Sequence, residues 1–156
     1  MIQRIDIRTL TKEQLIAQLE KLGEKAFRAK PIYEWLWKKS AIDFDEMTNL
    51  SKELRENLKT HFEILPIKSY KVQHSNDGTI KSVSQLHDKH LIEGVLIPSD
   101  DRATACVSSQ VGCSLSCSFC ATGFLKRERN LTAAEIYDQV VLINKQAQEN
   151  RGRNLT

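Results

Sequence analysis

All four cysteines of the 156-residue chain fall within fifteen consecutive positions. Cys113, Cys117 and Cys120 follow one another at spacings of four and three, and Cys106 stands seven residues upstream. Three thiol chemistries compete for this stretch. Zinc favours four tetrahedral ligands, which the four cysteines could supply, but structural zinc sites usually pair two short Cys-x-x-Cys knuckles and only Cys117 and Cys120 have that spacing. A redox pair at Cys117 and Cys120 leaves Cys113 without a role. An iron–sulfur cluster held by three thiolates accounts for the spacing best, because one tight loop reaches three corners of a cube and leaves the fourth iron open. The small residues Gly112, Ser114, Ser116 and Ser118 would let backbone amides approach the sulfides.

Glu93 is the other residue with chemistry to offer. It is a carboxylate inside the apolar run Leu91-Ile-Glu-Gly-Val-Leu-Ile97. Because strand side chains alternate between faces, it either sits on a wet face or faces a cleft as a general base. Lys126, Arg127 and Arg129 follow the cysteine loop, and residues 102–156 carry seven basic and four acidic side chains. That excess either faces phosphates or is a solvated helix approach. The overall net charge of +3 discriminates nothing.

The elements that must position these groups divide the chain in three. Residues 1–65 read as a small helical domain. Thr11-Lys-Glu-Gln14 is a capping box, after which Leu15, Ile16, Leu19 and Leu22 recur at helical spacing up to Gly23. A second helix is expected over about 30–39, with Pro31 in its first turn, Trp35 in the core and Trp37 either partly buried or stacked on nucleic acid. A third follows Ser51, with Leu54, Leu58 and Phe62 on one face, and Pro66 closes the region. Residues 66–101 read as an antiparallel β segment. Lys68–Gln73 alternates, Asn76-Asp-Gly78 is a hairpin turn, Ile80, Ser82, Ser84 and Leu86 share a face, and residues 91–97 form a nearly continuous apolar strand. In residues 102–156, a strand Arg102–Val107 enters the cysteine loop. Asn130-Leu-Thr132-Ala-Ala-Glu135 then caps a helix to about Asn150 with Ile136, Val140, Val141 and Ile143 buried. Strand, loop and helix in that order make the first unit of a parallel α/β layer, whose carboxyl-end loops are where active sites lie. The last residues, 151–156, look like a turn toward another strand. A single such unit cannot bury a parallel sheet, which leads us to expect a truncated protein.

Composition is that of an ordinary soluble protein, 40% hydrophobic and 28% charged. No apolar run approaches the roughly 18 residues that cross a bilayer, and the N-terminus is not a signal peptide. A cytoplasmic location without membrane contact is expected, where clustered cysteines are metal-binding or catalytic rather than disulfide-forming.

Cys-x3-Cys-x2-Cys with Phe119 before the last cysteine resembles the radical S-adenosylmethionine (SAM) superfamily. The longer run from Cys106 through Gly123 resembles the bacterial dual-specificity RNA methyltransferases, which modify carbon 2 of an adenine in 23S rRNA and in tRNA. Phe27-Arg-Ala-Lys with Trp35, Asp77-Gly-Thr79, Ile92–Pro98 and Arg129-Asn-Leu-Thr132 extend the likeness along nearly the whole chain. The resemblance implies an α/β fold: a helical accessory domain that grips RNA, a short β segment and the opening of a partial radical SAM (β/α) barrel. It implies that Cys113, Cys117 and Cys120 ligate a [4Fe–4S] cluster whose open iron chelates SAM, with Phe119 near the SAM adenine. Cys106 would resolve a covalent RNA–protein adduct and Glu93 would be the proton acceptor. One SAM would methylate a later cysteine; a second, reductively cleaved, would activate that methyl for addition to the adenine. An external electron donor such as flavodoxin and a monomeric enzyme are expected.

This sequence departs from the family in four places. It has no cysteine after Cys120 and no Gly-Glu-Pro SAM-binding segment, so the chain alone is expected not to methylate. Phe124-Leu-Lys126 lacks a glycine that many members have at its third place, and Ile80 and Ser82 replace a basic and an aromatic residue common in that hairpin. A paralogue methylating carbon 8 of the same ribosomal adenine is the nearest alternative, and a non-catalytic zinc-stabilised RNA-binding module is the alternative from another class.

Overall fold

A computed structural model describes residues 4–115, 117–151 and Leu155. Ser116 and residues 152–154 and 156, on which parts of the loop and final-turn expectations fall, lie outside the described residues. The chain forms two compact units, Met1–Leu65 and Pro66–Thr156.

Unit 1 contains strand β1 (Ile5–Asp6), helices α1 (Lys12–Lys21), α2 (Ala29–Trp37) and α3 (Lys52–His61), and strand β2 (Phe62–Glu63). β1 and β2 pair in parallel, tying the two ends of the unit together. The Thr11 capping box forms as the sequence predicts. Gln14 N–H donates to the Thr11 hydroxyl at 3.2 Å, and Thr11 N–H donates to Gln14 Oε1 at 2.8 Å. α1 ends at Gly23, whose φ of +78° is open to glycine, while Glu24 N–H and Gly23 N–H close on the carbonyls of Leu19 and Glu20. Leu15, Leu19, Ile32, Leu36, Leu54 and Leu58 from the three helices fill one core with Phe62. Phe62 joins it from β2 rather than from α3. Neither tryptophan is fully buried. Trp35, expected in the core, packs against its edge, donates its indole N–H to Asn49 and lies under the Lys39 ammonium; Trp37 meets Tyr33 in a tilted ring contact, 42° between planes.

Unit 2 is a four-stranded antiparallel meander of β3 (Lys68–His74), β4 (Ile80–Gln85), β5 (Leu91–Pro98) and β6 (Ala103–Cys106), with a two-stranded ribbon of β7 (Gln110–Val111) and β8 (Arg129–Asn130), and helix α4 (Ala133–Arg151). The turn at Asn76-Asp-Gly78 joins β3 to β4, and Gly78 supplies its φ of +84°. Ile80, Ser82 and Ser84 are buried on one face of β4. β5, read from its composition as nearly continuously apolar, instead alternates. Ile92, Gly94 and Leu96 face inward, while Leu91, Glu93 and Ile97 stay exposed. β6 pairs with β5 antiparallel, and no parallel pair is found among the described residues of this unit.

α4 lies on the inward face of the sheet. Ile143 and Ala147 pack with Ile80, Leu96 and Ala103; Ile136 and Leu142 pack near Ile92 and Val111. A Cβ on Gly94 would come within 3.0 Å of Ile143 Cδ1, so the glycine lets the helix approach. The buried row differs from the expected one. Val140 is exposed, and Glu135 and Gln139 are buried with Ile143 and Ala147 at four-residue intervals.

Candidate functional site

The outward face of the sheet carries the candidate chemistry. Val83 and Glu93 are opposed across β4 and β5, as are Lys81 and Val95, and Val95 and Cys106 across β5 and β6. Strand alternation therefore puts Glu93, Lys81 and Cys106 on one face. Glu93 Oε1 accepts an ion pair from Lys81 Nζ at 2.8 Å, with half of its side chain open to solvent (51%). It lines a cleft of about 530 Å³ whose other walls include Tyr70, Lys71, Ser108, Gly112 and Thr122. The wet-face and cleft readings of Glu93 thus coincide: it lies on the open face, and that face is the cleft wall. Cys106 is exposed at the end of β6.

The cysteine loop leaves and returns through β7 and β8. Val111 pairs with Arg129, Glu128 N–H donates to Val111 O at 3.0 Å, and Leu131 N–H donates to Ser109 O at 2.9 Å. Two glycines let the loop fold on itself. Gly112 has φ +71°, and a Cβ there would meet Lys126 O at 2.1 Å; one on Gly123 would meet Cys117 O at 2.7 Å. Backbone bonds from Cys113 to Leu125 (3.2 Å), Cys120 to Cys117 (3.1 Å) and Gly123 to Cys120 (2.9 Å) set the turns. Cys113, Cys117 and Cys120 are half-buried free thiols, and Leu115 N–H points at Cys113 Sγ from 3.4 Å. The loop collects the three thiols without bringing them to one point: no three His, Cys, Asp or Glu groups among the described residues stand ready for a single metal ion. Phe119 is 90% exposed, and Leu115, Phe124 and Leu125 are exposed with it.

Sequence reasoning missed what holds this loop. Arg129 grips Glu135 with two parallel bonds, 2.9 Å to Oε2 and 2.7 Å to Oε1, and reaches Asp88 in the β4–β5 turn at 2.7 Å. Glu135 also closes the predicted capping box, accepting from Thr132 N–H at 2.8 Å. Burial pushes the Glu135 carboxyl up, but the Arg129 guanidinium, the Thr132 amide and nearby His87 outweigh it and hold the carboxyl below its usual range. Asp88 follows the same pattern: burial raises it, and Arg129 and His90 bring it down to about 2. Arg127 is engaged by Gln110 at 3.1 Å and Asn130 at 2.8 Å. Of the three cations read as a patch, two are therefore occupied within the protein, and Lys126 stays exposed. The capping-box motif was the only sequence signal for any of this.

Residues 5–64 match the ribosomal RNA large subunit methyltransferase N-terminal domain family. A crystal structure of a radical SAM methyltransferase from Sphaerobacter thermophilus superposes with a TM-score of 0.82 at 41% identity, covering 97% of this chain and 45% of that one. In fold and in sequence the chain is thus similar to a radical SAM methyltransferase over somewhat under half of that protein's length.

Within that class the likeness is narrower. A probable dual-specificity RNA methyltransferase RlmN of Cytophaga hutchinsonii is 56% identical over 155 residues, covering 99% of this chain and 42% of the relative. The corresponding protein of Christiangramia forsetii is 57% identical over 142 residues, 91% of this chain and 40% of the relative. The chain is similar to these dual-specificity RNA methyltransferases along nearly all of its own length and spans about two fifths of theirs.

Proposed function

We propose that these residues form the cluster-bearing N-terminal part of an enzyme that methylates carbon 2 of an adenine in 23S rRNA and in tRNA through a methyl-cysteine. The observation that carries this reading is a glycine-closed loop of three free thiols beside a cleft walled by Glu93. A donor set of thiols alone suits an iron–sulfur cluster, so Cys113, Cys117 and Cys120 fit a [4Fe–4S] group. When bound, cluster and SAM supply one-electron cleavage of the SAM sulfonium, with the electron coming from an external donor such as flavodoxin.

The chain's own residues do the rest. Phe119, open on the loop surface, offers an aromatic face to the SAM adenine. Glu93, oriented by its 2.8 Å contact with Lys81, accepts the proton lost from the substrate carbon. Cys106, on the same sheet face, supplies the thiol that resolves the RNA adduct. β6, the cysteine loop and α4 serve as the first unit of the (β/α) barrel. Unit 1 grips folded RNA, and Phe27, 67% exposed with Arg28 5.8 Å from its ring, is suited to stacking on a base. The enzyme works as a cytoplasmic monomer.

The test is anaerobic turnover of the full-length protein with SAM, reductant and a 23S rRNA fragment, followed by nucleoside analysis. Methyl on adenine carbon 2 supports the proposal. Methyl on carbon 8 transfers the chain to the resistance paralogue, and no methylation by iron-loaded protein overturns the reading.

A further inference from the structure

Two buried polar side chains on α4, Glu135 and Gln139, lie one helical turn apart and face the two ends of the cysteine loop. Gln139 is 3% exposed and grips both backbone groups of Ser108: Ser108 N–H donates to its Oε1 at 2.9 Å, and its Nε2 donates to Ser108 O at 3.0 Å. The same Nε2 also donates to Glu135 O at 3.2 Å, which fixes its rotamer. Ser108 in turn donates its hydroxyl to the Glu93 carbonyl at 2.8 Å. The incoming end of the loop is thereby joined to the backbone of the residue that walls the cleft. The outgoing end is held by the Arg129–Glu135 pair.

A buried amide that satisfies both groups of one loop residue does what a neighbouring strand would do, and it does so where β6 has ended and pairing with β5 has stopped. Gly94 fits this arrangement, since a Cβ there would be 3.9 Å from Gln139 Oε1 and 3.5 Å from Cys106 O. Helix, strand β5 and the segment after Cys106 meet at that point.

We propose that Gln139 and Glu135 are positioning residues, a two-point clamp by which one row of α4 fixes the ends of the cysteine loop and registers its thiols against Glu93. The assignment of the thiols to a cluster rests on the proposed function; the clamp itself does not. In the full chain without metal, Gln139→Met keeps side-chain length and removes both bonds to Ser108. Amide exchange over 107–125 is expected to quicken about tenfold or more, the size of one or two lost hydrogen bonds. Ile143→Val, which trims the same helix where it meets Gly94 without touching the loop, serves as the control. At matched loss of thermal stability it should leave loop exchange near wild type. Equal acceleration in the two variants, or none in Gln139→Met, overturns the clamp. Iron and sulfide uptake is measured alongside. Reduced uptake in Gln139→Met but not in Ile143→Val supports registration of the thiols. No uptake by the wild type, with the exchange result intact, refutes the cluster reading and leaves the clamp standing.

Discussion

Removing the Arg129 guanidinium should destabilise unit 2 far more than an ordinary surface ion-pair loss. Arg129→Met leaves the Glu135 carboxylate, 4% exposed, without its bidentate partner, while the Thr132 amide and the half-exposed His87 ring, 3.6 Å away, remain. Stranding a buried charge in this way costs about 3–5 kcal/mol, against about 0–1 kcal/mol for an exposed pair. The sign of the pH dependence follows. In the native chain the Glu135 carboxyl lies below its unfolded value, so its contribution is present above that value and is lost as pH falls through the folded pKa. In the variant burial is no longer outweighed, the carboxyl moves up, and proton uptake relieves the penalty. The stability gap between the two proteins is therefore widest near neutral pH and narrows on acidification. Adding Glu135→Gln should recover a substantial part of the loss, since no charge is then stranded. Urea unfolding followed by far-UV CD measures this; both tryptophans lie in unit 1, so their fluorescence follows the other unit. A loss under about 1 kcal/mol, or a double variant no more stable than Arg129→Met, would refute the reasoning.

Three further outcomes are expected. Cys106→Ala in the full-length enzyme should retain iron and accumulate covalent RNA–protein adduct on denaturing gels; loss of iron would place Cys106 among the ligands. Glu93→Gln should slow methylation at least about tenfold with RNA affinity nearly unchanged, and an unaltered rate would remove it from the chemistry. Asp88, held at about 2, contributes stability above the usual aspartate value that fades as pH falls from there toward 2. Asp88→Asn should flatten that acid limb by roughly 1 kcal/mol after solvent screening, and an unchanged limb would show that the Arg129 contact contributes nothing.

The sequence announces elements whose signals are local. Thr11 with Gln14 and Thr132 with Glu135 are capping boxes because three-residue spacing suffices to form them, and Asn76-Asp-Gly78 needs only the positive φ of its glycine. The bunching of Cys113, Cys117 and Cys120 is equally local. What the sequence conceals depends on partners far along the chain. Helical periodicity alone makes Val140 a better core residue than Gln139, but Ser108, thirty-one residues earlier and between β6 and β7, offers a backbone N–H and a carbonyl that the Gln139 amide satisfies together. Arg129 reads as one of three clustered cations, either phosphate-facing or solvated, until Asp88 and Glu135 arrive from a turn and a helix. The alternation of β5 is masked by exposed Leu91 and Ile97, which mimic a strand buried on both faces.

In the proposed enzyme, three thiols of one loop hold an iron–sulfur cluster with a position open for SAM. Anaerobic reconstitution of the full-length protein with iron and sulfide, followed by EPR of the reduced sample with and without SAM, tests it most directly. The expected result is a [4Fe–4S] signal that SAM perturbs and that is lost on changing any of Cys113, Cys117 or Cys120 to Ala, but not Cys106. A tight one-to-one zinc complex requiring all four thiols, with no SAM-sensitive signal, would contradict it.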